Sequence, residues 1–274
     1  MTRTALTPTI TAALAGLAAP ALAQTTTLTV NSSQSSVQAD ICLIPPGLGQ
    51  RCDNDSSPVA GALDVELDSY TAPTQITLHD FSLNVAQTLT YNFDWGFFFG
   101  GVDITISNVV IDDAFPGVPD GPVAVDGAGN FAFPAVAAII AGQGAYAGYG
   151  PILGPLVGSG TFNLADFGVV ETAIDASVNV ASGTVTLSGA QAFANSGDIN
   201  GVTVSIDGTA SLLAAGPVPA CPADFNNDGS VNTVDVIAFL NAWSARHPSA
   251  DFNHDGTVNT QDVIAFLNAW SAGC

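Results

Sequence analysis

Two stretches near the C-terminus place oxygen-bearing residues at a spacing that can hold a metal ion. They read Asp224-Phe-Asn-Asn-Asp-Gly-Ser-Val-Asn-Thr-Val-Asp235 and, 27 residues later, Asp251-Phe-Asn-His-Asp-Gly-Thr-Val-Asn-Thr-Gln-Asp262. Side-chain oxygens fall at loop positions 1, 3, 5, 9 and 12, with glycine at position 6. This is the pattern of an EF-hand-type loop, in which a hard cation gathers six to eight oxygens at about 2.3–2.6 Å. The first set is Asp224, Asn226, Asp228, Asn232 and Asp235, with Ser230 giving its backbone carbonyl. The second is Asp251, Asn253, Asp255, Asn259 and Asp262, with Thr257 giving its carbonyl. Each loop collects three carboxylates that repel one another without a cation, so calcium binding, two ions in all, is expected to be coupled to folding.

Each set needs an element to hold its last ligand. Both loops lead into Val-Ile-Ala-Phe-Leu-Asn-Ala-Trp. Ile237, Leu240 and Trp243, and likewise Ile264, Leu267 and Trp270, recur at helical spacing, with Val236, Phe239, Val263 and Phe266 widening the apolar stripe. Asn232 and Asn259 stand where an N-cap belongs. Aspartate at position 12, where ordinary EF-hands carry glutamate, is one carbon shorter and suits a loop followed by a single helix. One Asp/Asn/Gly-rich stretch is usually a surface turn; two complete ligand sets, each followed by the same helix, favour the metal reading.

On these residues, 221–274 resemble a dockerin domain, type I-like. From Cys221 to the terminal Ser-Ala-Gly-Cys274 they are closer to the GC-type variant found at the ends of secreted bacterial proteins. The resemblance covers about a fifth of the chain. It implies a small α-helical domain with two calcium loops that docks onto a partner, with Thr233, Val234, Thr260 and Gln261 facing it. The Lys-Arg pair usual in the recognition helix is replaced by Leu240-Asn241 and Leu267-Asn268. The implied partner is therefore a cohesin-like or other cell-surface protein.

Residues 1–23 read as a secretory signal: Arg3, a short apolar run from Ala12 to Ala19, and Ala21-Leu22-Ala23 before Gln24. The run is too short to span a bilayer, and no later stretch does better. A secreted, extracellular or cell-surface location follows. The four cysteines suit an oxidising compartment. Cys42 pairs with Cys52 across a Pro-Pro-Gly-Leu-Gly loop. Cys221 pairs with Cys274 as a clasp, or the terminal Gly-Cys is a processing or attachment point. The chain has no lysine and three arginines against 24 acidic residues, a formal net charge of −21. That excludes nucleic-acid binding and anionic membrane surfaces, both of which need cationic contacts.

Residues 24–213 alternate in period two, as in Val102, Ile104 and Ile106, in Ile174, Ala176, Val178 and Val180, and in Val202, Val204 and Ile206. Turn pairs such as Asp126-Gly127, Ser182-Gly183 and Asp207-Gly208 separate the runs. The reading is a mainly β domain of ten to twelve strands, a β-sandwich or flattened barrel, followed by a linker over 214–220.

Catalytic groups are scarce. Glu66 and Glu171 are the only glutamates, and a glycosidase would need two carboxylates facing each other across a sugar. His79-Asp80 has no nucleophile beside it, and no residue is assigned a catalytic role. The run from Tyr91 to Phe99 is an aromatic platform for sugar rings or part of the core around a glycine turn. The leading expectation is a non-catalytic β-domain tethered through the calcium module. The alternatives are a polysaccharide-binding or polysaccharide-degrading protein, a glycoside hydrolase if an enzyme at all, and a structural envelope component.

Overall fold

A computed structural model describes residues 24–199, 201–228 and 231–272. They fall into two compact units that meet in sequence between Cys221 and Pro222.

The first unit is built of strands β1 (Thr25–Val30), β2 (Ser36–Ile44), β3 (Arg51–Leu67), β4 (Gln75–Val85), β5 (Leu89–Asp94), β6 (Gly101–Asp113), β7 (Asp120–Ala124), β8 (Asn130–Tyr149), β9 (Ser159–Asn163), β10 (Val169–Ala181), β11 (Thr184–Ile199) and β12 (Val202–Pro217). A short helix, α1 (Leu153–Val157), joins β8 to β9. The strands make one antiparallel sheet rather than the two of a sandwich. Its ladder runs β3-β2-β12-β11-β10-β8-β6-β4 and returns to β3 through the β3–β4 pairing. β1 and β2 share one slot in this ring. β2 pairs Arg51–Pro58 of β3, and β1 pairs Ala62–Glu66 further along.

Period-two alternation decides what the ring encloses. In β1, Leu28 and Val30 are buried while Thr25, Thr27 and Thr29 face out. In β12, Thr203 and Thr209 are exposed between inward neighbours. Two apolar clusters fill the interior. One holds Leu28, Val65, Ile76, Phe131, Val136 and Val185. The other holds Ile41, Leu43, Tyr91, Phe93 and Val102. Each fully buried side chain of this size stabilises the fold by about 1.5–3 kcal/mol relative to exposure.

Ser182 and Gly183 form the two-residue turn between β10 and β11, both at positive φ (51° and 72°), the geometry that matches strand twist. Asp207-Gly208 is not a turn. It lies inside β12, where Gly208 pairs with Phe193. A Cβ on Gly208 would come within 2.3 Å of the Phe193 ring, so this glycine seats an aromatic side chain instead of reversing the chain. The linker also begins later than 214. β12 continues to Pro217, because Ala214 is fully buried and pairs with both Val30 and Leu187, and the Thr26 hydroxyl donates to the Pro217 carbonyl.

The second unit holds α2 (Thr233–Ser244) and α3 (Thr260–Ala272), with a single 3-10 turn, Pro248–Ala250, between them. Its core is four phenylalanines. Phe239 and Phe266 stack at 4.2 Å with planes 7° apart, and Phe225 and Phe252 meet them edge-on. The helical stripe is therefore centred on Phe239 and Phe266. Ile237 and Ile264, expected in the core, are 59 % and 60 % exposed, with Leu240 and Leu267 beside them. No helix among the described residues is long and apolar enough to cross a membrane.

Candidate functional site

The loops before α2 and α3 repeat one hydrogen-bond pattern. In the second, Asp251 accepts the N–H groups of Asp255 (3.1 Å) and Gly256 (2.9 Å), and Asp255 accepts that of Thr257 (2.8 Å). The Asn253 side-chain oxygen takes the Asp255 N–H, and the Asn259 amide donates to the Thr257 carbonyl. Asp262 reaches back from the first turn of α3. Its carboxylate accepts the N–H of Asn253 at 3.2 Å and of Asn259 at 2.7 Å. The first loop repeats this with Asp228 bonded to Asp224 and Asn226, and with Asp235 accepting from Asn226 and Asn232. Ser230 and Gly229 lie outside the described residues.

Backbone conformation repeats too. Asn227 and His254, both at loop position 4, have φ of 57° and 58°, and Gly256 has φ 86°. Asn232 caps α2 and forms a capping box with Asp235; Asn259 accepts the Gln261 N–H in the same way.

Asp235 and Asp262 are fully buried. Burial acts to raise the pKa of Asp235, but the backbone N–H groups of Asn232 and Asn226 outweigh it and hold the carboxyl below its usual value. Asp262 is likewise held low, chiefly by the Asn259 N–H. These two side chains are thus kept ionised at the junction of loop and helix.

The donor set is oxygen throughout, which is the chemistry of a hard cation such as calcium. The carboxylates nevertheless rest on backbone N–H groups. Among the described residues, no three His, Cys, Asp or Glu side chains are gathered into a ready cage for an ion. Thr233, Val234, Thr260 and Gln261 stand exposed in the first turns of the two helices.

In the β unit, Cys42 and Cys52 face each other across β2 and β3 and are disulfide-bonded, with Cα atoms 4.0 Å apart. Cys221 is also disulfide-bonded; Cys274 lies outside the described residues. Glu66 meets His79, not Glu171: its Oε2 is 2.8 Å from His79 Nε2, where a bulge in β4 turns the histidine toward β3. Glu66 and Glu171 sit on the outer face of non-neighbouring strands in a closed ring, so they cannot confront each other across a sugar.

The aromatic run divides. Tyr91 and Phe93 are core, and Trp95 donates its indole N–H to the Gly49 carbonyl. Phe97 and Phe98 project into solvent from a turn closed by Gly96 and Gly100. Two features escaped sequence reasoning. Asp53 and Asp55 of β3 accept the N–H groups of Asn92 and Thr90, each at 2.8 Å, so carboxylates fasten the edge of β5 opposite its ladder with β6. The buried Tyr91 hydroxyl, near the negative Asp55, Asp40 and Asp53, has no hydrogen-bond partner among the described residues. Strand alternation alone does not signal either.

No family model matches the chain, and no curated protein matches it. Two solved structures that do match are of Ail, the attachment invasion locus protein of Yersinia pestis, one of them in complex with the heparin analogue sucrose octasulfate. They share 10% and 12% identity over 70% of this chain and 97% of theirs, with TM-scores of 0.29 and 0.30. These comparisons return no dockerin.

The dockerin resemblance is corrected accordingly. No family model answers to residues 221–274, and among the described residues the carboxylates form no metal cage. The docking role, the cohesin-like partner and the polysaccharide-directed alternatives that came with it are withdrawn.

Proposed function

We propose that the unit beyond Pro222 takes up two calcium ions, one in each of the loops 224–235 and 251–262, and that uptake consolidates the helices behind them. The observation that carries this reading is the placement of Asp262, and of Asp235 in the first loop. Each is fully buried, ionised, and tied to the N–H groups of loop positions 3 and 9. The loop is thereby wrapped around one carboxylate while two more remain on its rim. The ligands would be the Asp, Asn and carbonyl oxygens at positions 1, 3, 5, 7, 9 and 12 of each loop. A bound ion would supply the positive charge that these carboxylates lack, since Arg246 is the unit's one lysine or arginine.

The β unit is read as a flattened barrel, exported with the calcium unit to an oxidising extracellular or cell-surface location. The Cys42–Cys52 bond and the signal-like first 23 residues support this. Calorimetric titration of calcium into the metal-stripped full chain tests the main reading. Two equivalents bound, with a gain in helical circular dichroism, is the expected result. No heat and no change in helicity at millimolar calcium would overturn it.

A further inference from the structure

The ring is closed by its ladders, but among the described residues it leaves one stretch of strand edge unpaired. β10 and β11 pair from Ala176↔Gly189 to Ala181↔Thr184 and then part. Beyond Gly189 the ladder of β11 continues with β12. The other arm, Val169–Asp175 of β10, is paired with β8 on one side, and among the described residues no strand ladder covers its second side. A strand edge of this kind presents backbone N–H and C=O groups in register and is a template for another strand.

The surroundings of this lip are apolar and acidic together. Residues 165–171 are all exposed, including Phe167 at 69 %, Val169 and Val170; Ile139, the ladder partner of Val169, is exposed as well. On the far side of the opening, Phe193, Val204 and Ile206 of the second core cluster are only partly covered. Asp166, Glu171 and Asp175 line the lip, and within the β unit Arg51 is the one lysine or arginine of the chain. A second copy of this chain would bring like charge to the edge, since each carries a net charge of −21. An occupant must pair by backbone, cover apolar side chains and bring positive charge.

We propose that Val169–Asp175 of β10 receives an extended segment of a partner polypeptide, its alternate residues apolar and the others lysine or arginine. Backbone pairing gives the attachment, the apolar residues cover Val170 and the open side of the core, and the cations face Glu171 and Asp175.

The experiment uses the full chain and three synthetic ten-residue peptides. One alternates valine and lysine, one alternates valine and glutamate, and the third is the lysine peptide with proline at two central valines. Amide hydrogen exchange is read over residues 169–175. The valine–lysine peptide is expected to slow exchange there at least 10-fold, while the glutamate and proline peptides leave it unchanged. Glu171→Lys should weaken the lysine peptide's binding about 10-fold with the disulfide-linked fold intact, judged by circular dichroism.

Absence of protection at saturating lysine peptide would overturn the proposal. So would equal binding of the proline peptide, which would reveal charge attraction alone. A dimer in light scattering whose lip amides are protected without any peptide would also overturn it, since the occupant would then be a second copy.

Discussion

The indole N–H of Trp243 donates to the backbone carbonyl of Asn259 at 2.7 Å, joining the end of the first helix to the second loop. The relation is reciprocal: Trp270 donates to the carbonyl of Asn232 at 2.9 Å. Asn232 and Asn259 are the position-9 residues of the two loops and stand at the starts of α2 and α3. Each half of the unit therefore holds the other's loop, and neither half carries a complete structure alone.

Trp243→Phe keeps an aromatic ring but removes this donor together with part of the packed indole. Leaving the half-buried Asn259 carbonyl without it should cost about 1–3 kcal/mol. The loss should appear as a lower melting temperature at 222 nm, where the helices dominate. An unchanged melt would mean that the bond contributes nothing to the unit.

Asp262→Asn discards the charge and keeps an acceptor oxygen for only one of the Asn253 and Asn259 N–H groups, which bond to different oxygens of Asp262. Calcium affinity is expected to fall at least 10-fold, while helicity in chelator falls only by what the one lost hydrogen bond contributes. Calorimetry and circular dichroism separate the two effects. Undiminished affinity would remove the position-12 aspartate from the ligand set.

Tyr91→Phe removes a buried hydroxyl that has no partner among the described residues. The variant should be as stable as the parent or more stable by about 1 kcal/mol in urea unfolding. In the parent, burial first, and then the charges of Asp55, Asp40 and Asp53, push the Tyr91 phenol up to about 12. The folded value lies above the unfolded one near 10, so this contribution is complete below pH 10 and is lost as pH rises toward 12. Absorbance at 295 nm should show one tyrosine ionising after the others.

Asp55 works in the opposite direction. The Thr90 N–H, opposed in part by burial, lowers its carboxyl below the ordinary 3.8. Its stabilisation is full above that value and fades as pH falls through the lower folded one. Asp55→Ala should loosen only the β3-facing edge at the start of β5, which keeps its ladder to β6, at a cost of about 1 kcal/mol given the partial exposure of Asp55. The Thr90 amide resonance in the parent should shift only below pH 4; a shift centred above pH 5 would exclude this bond as its cause.

Replacing Cys42 and Cys52 together by serine reopens a loop whose ends are 10 residues apart. The loss should be roughly 2–3 kcal/mol, read as an earlier urea midpoint. Equal midpoints would mean that the β2–β3 ladder already confines that segment in the unfolded chain.

Much of this molecule follows from local pattern. The spacing of Asp, Asn and Gly in the two loops depends only on residues within a dozen positions, and the backbone repeats at Asn227 and His254 match the sequence repeat. Period-two alternation correctly divides Leu28 from Thr27 because each residue's face in a strand is set by its neighbours. Asp207-Gly208 misled for the same reason. Nothing local distinguishes a turn glycine from one that seats Phe193, a residue 15 positions away whose pairing is fixed by the sheet.

The sequence by itself determined the paired Asp/Asn/Gly loops, the strand-rich body and the two apolar helices. Only tertiary structure decided that the helices bury Phe239 and Phe266 and leave Ile237 and Ile264 in solvent. It alone set Glu66 and Glu171 on outward faces, carried β12 past residue 214, and left β10 with an open edge. The physical reason is range. Spacing, turn geometry and alternation act between near neighbours. The order in which strands close a ring is set by contacts distant in sequence, whose competing alternatives local preferences do not distinguish.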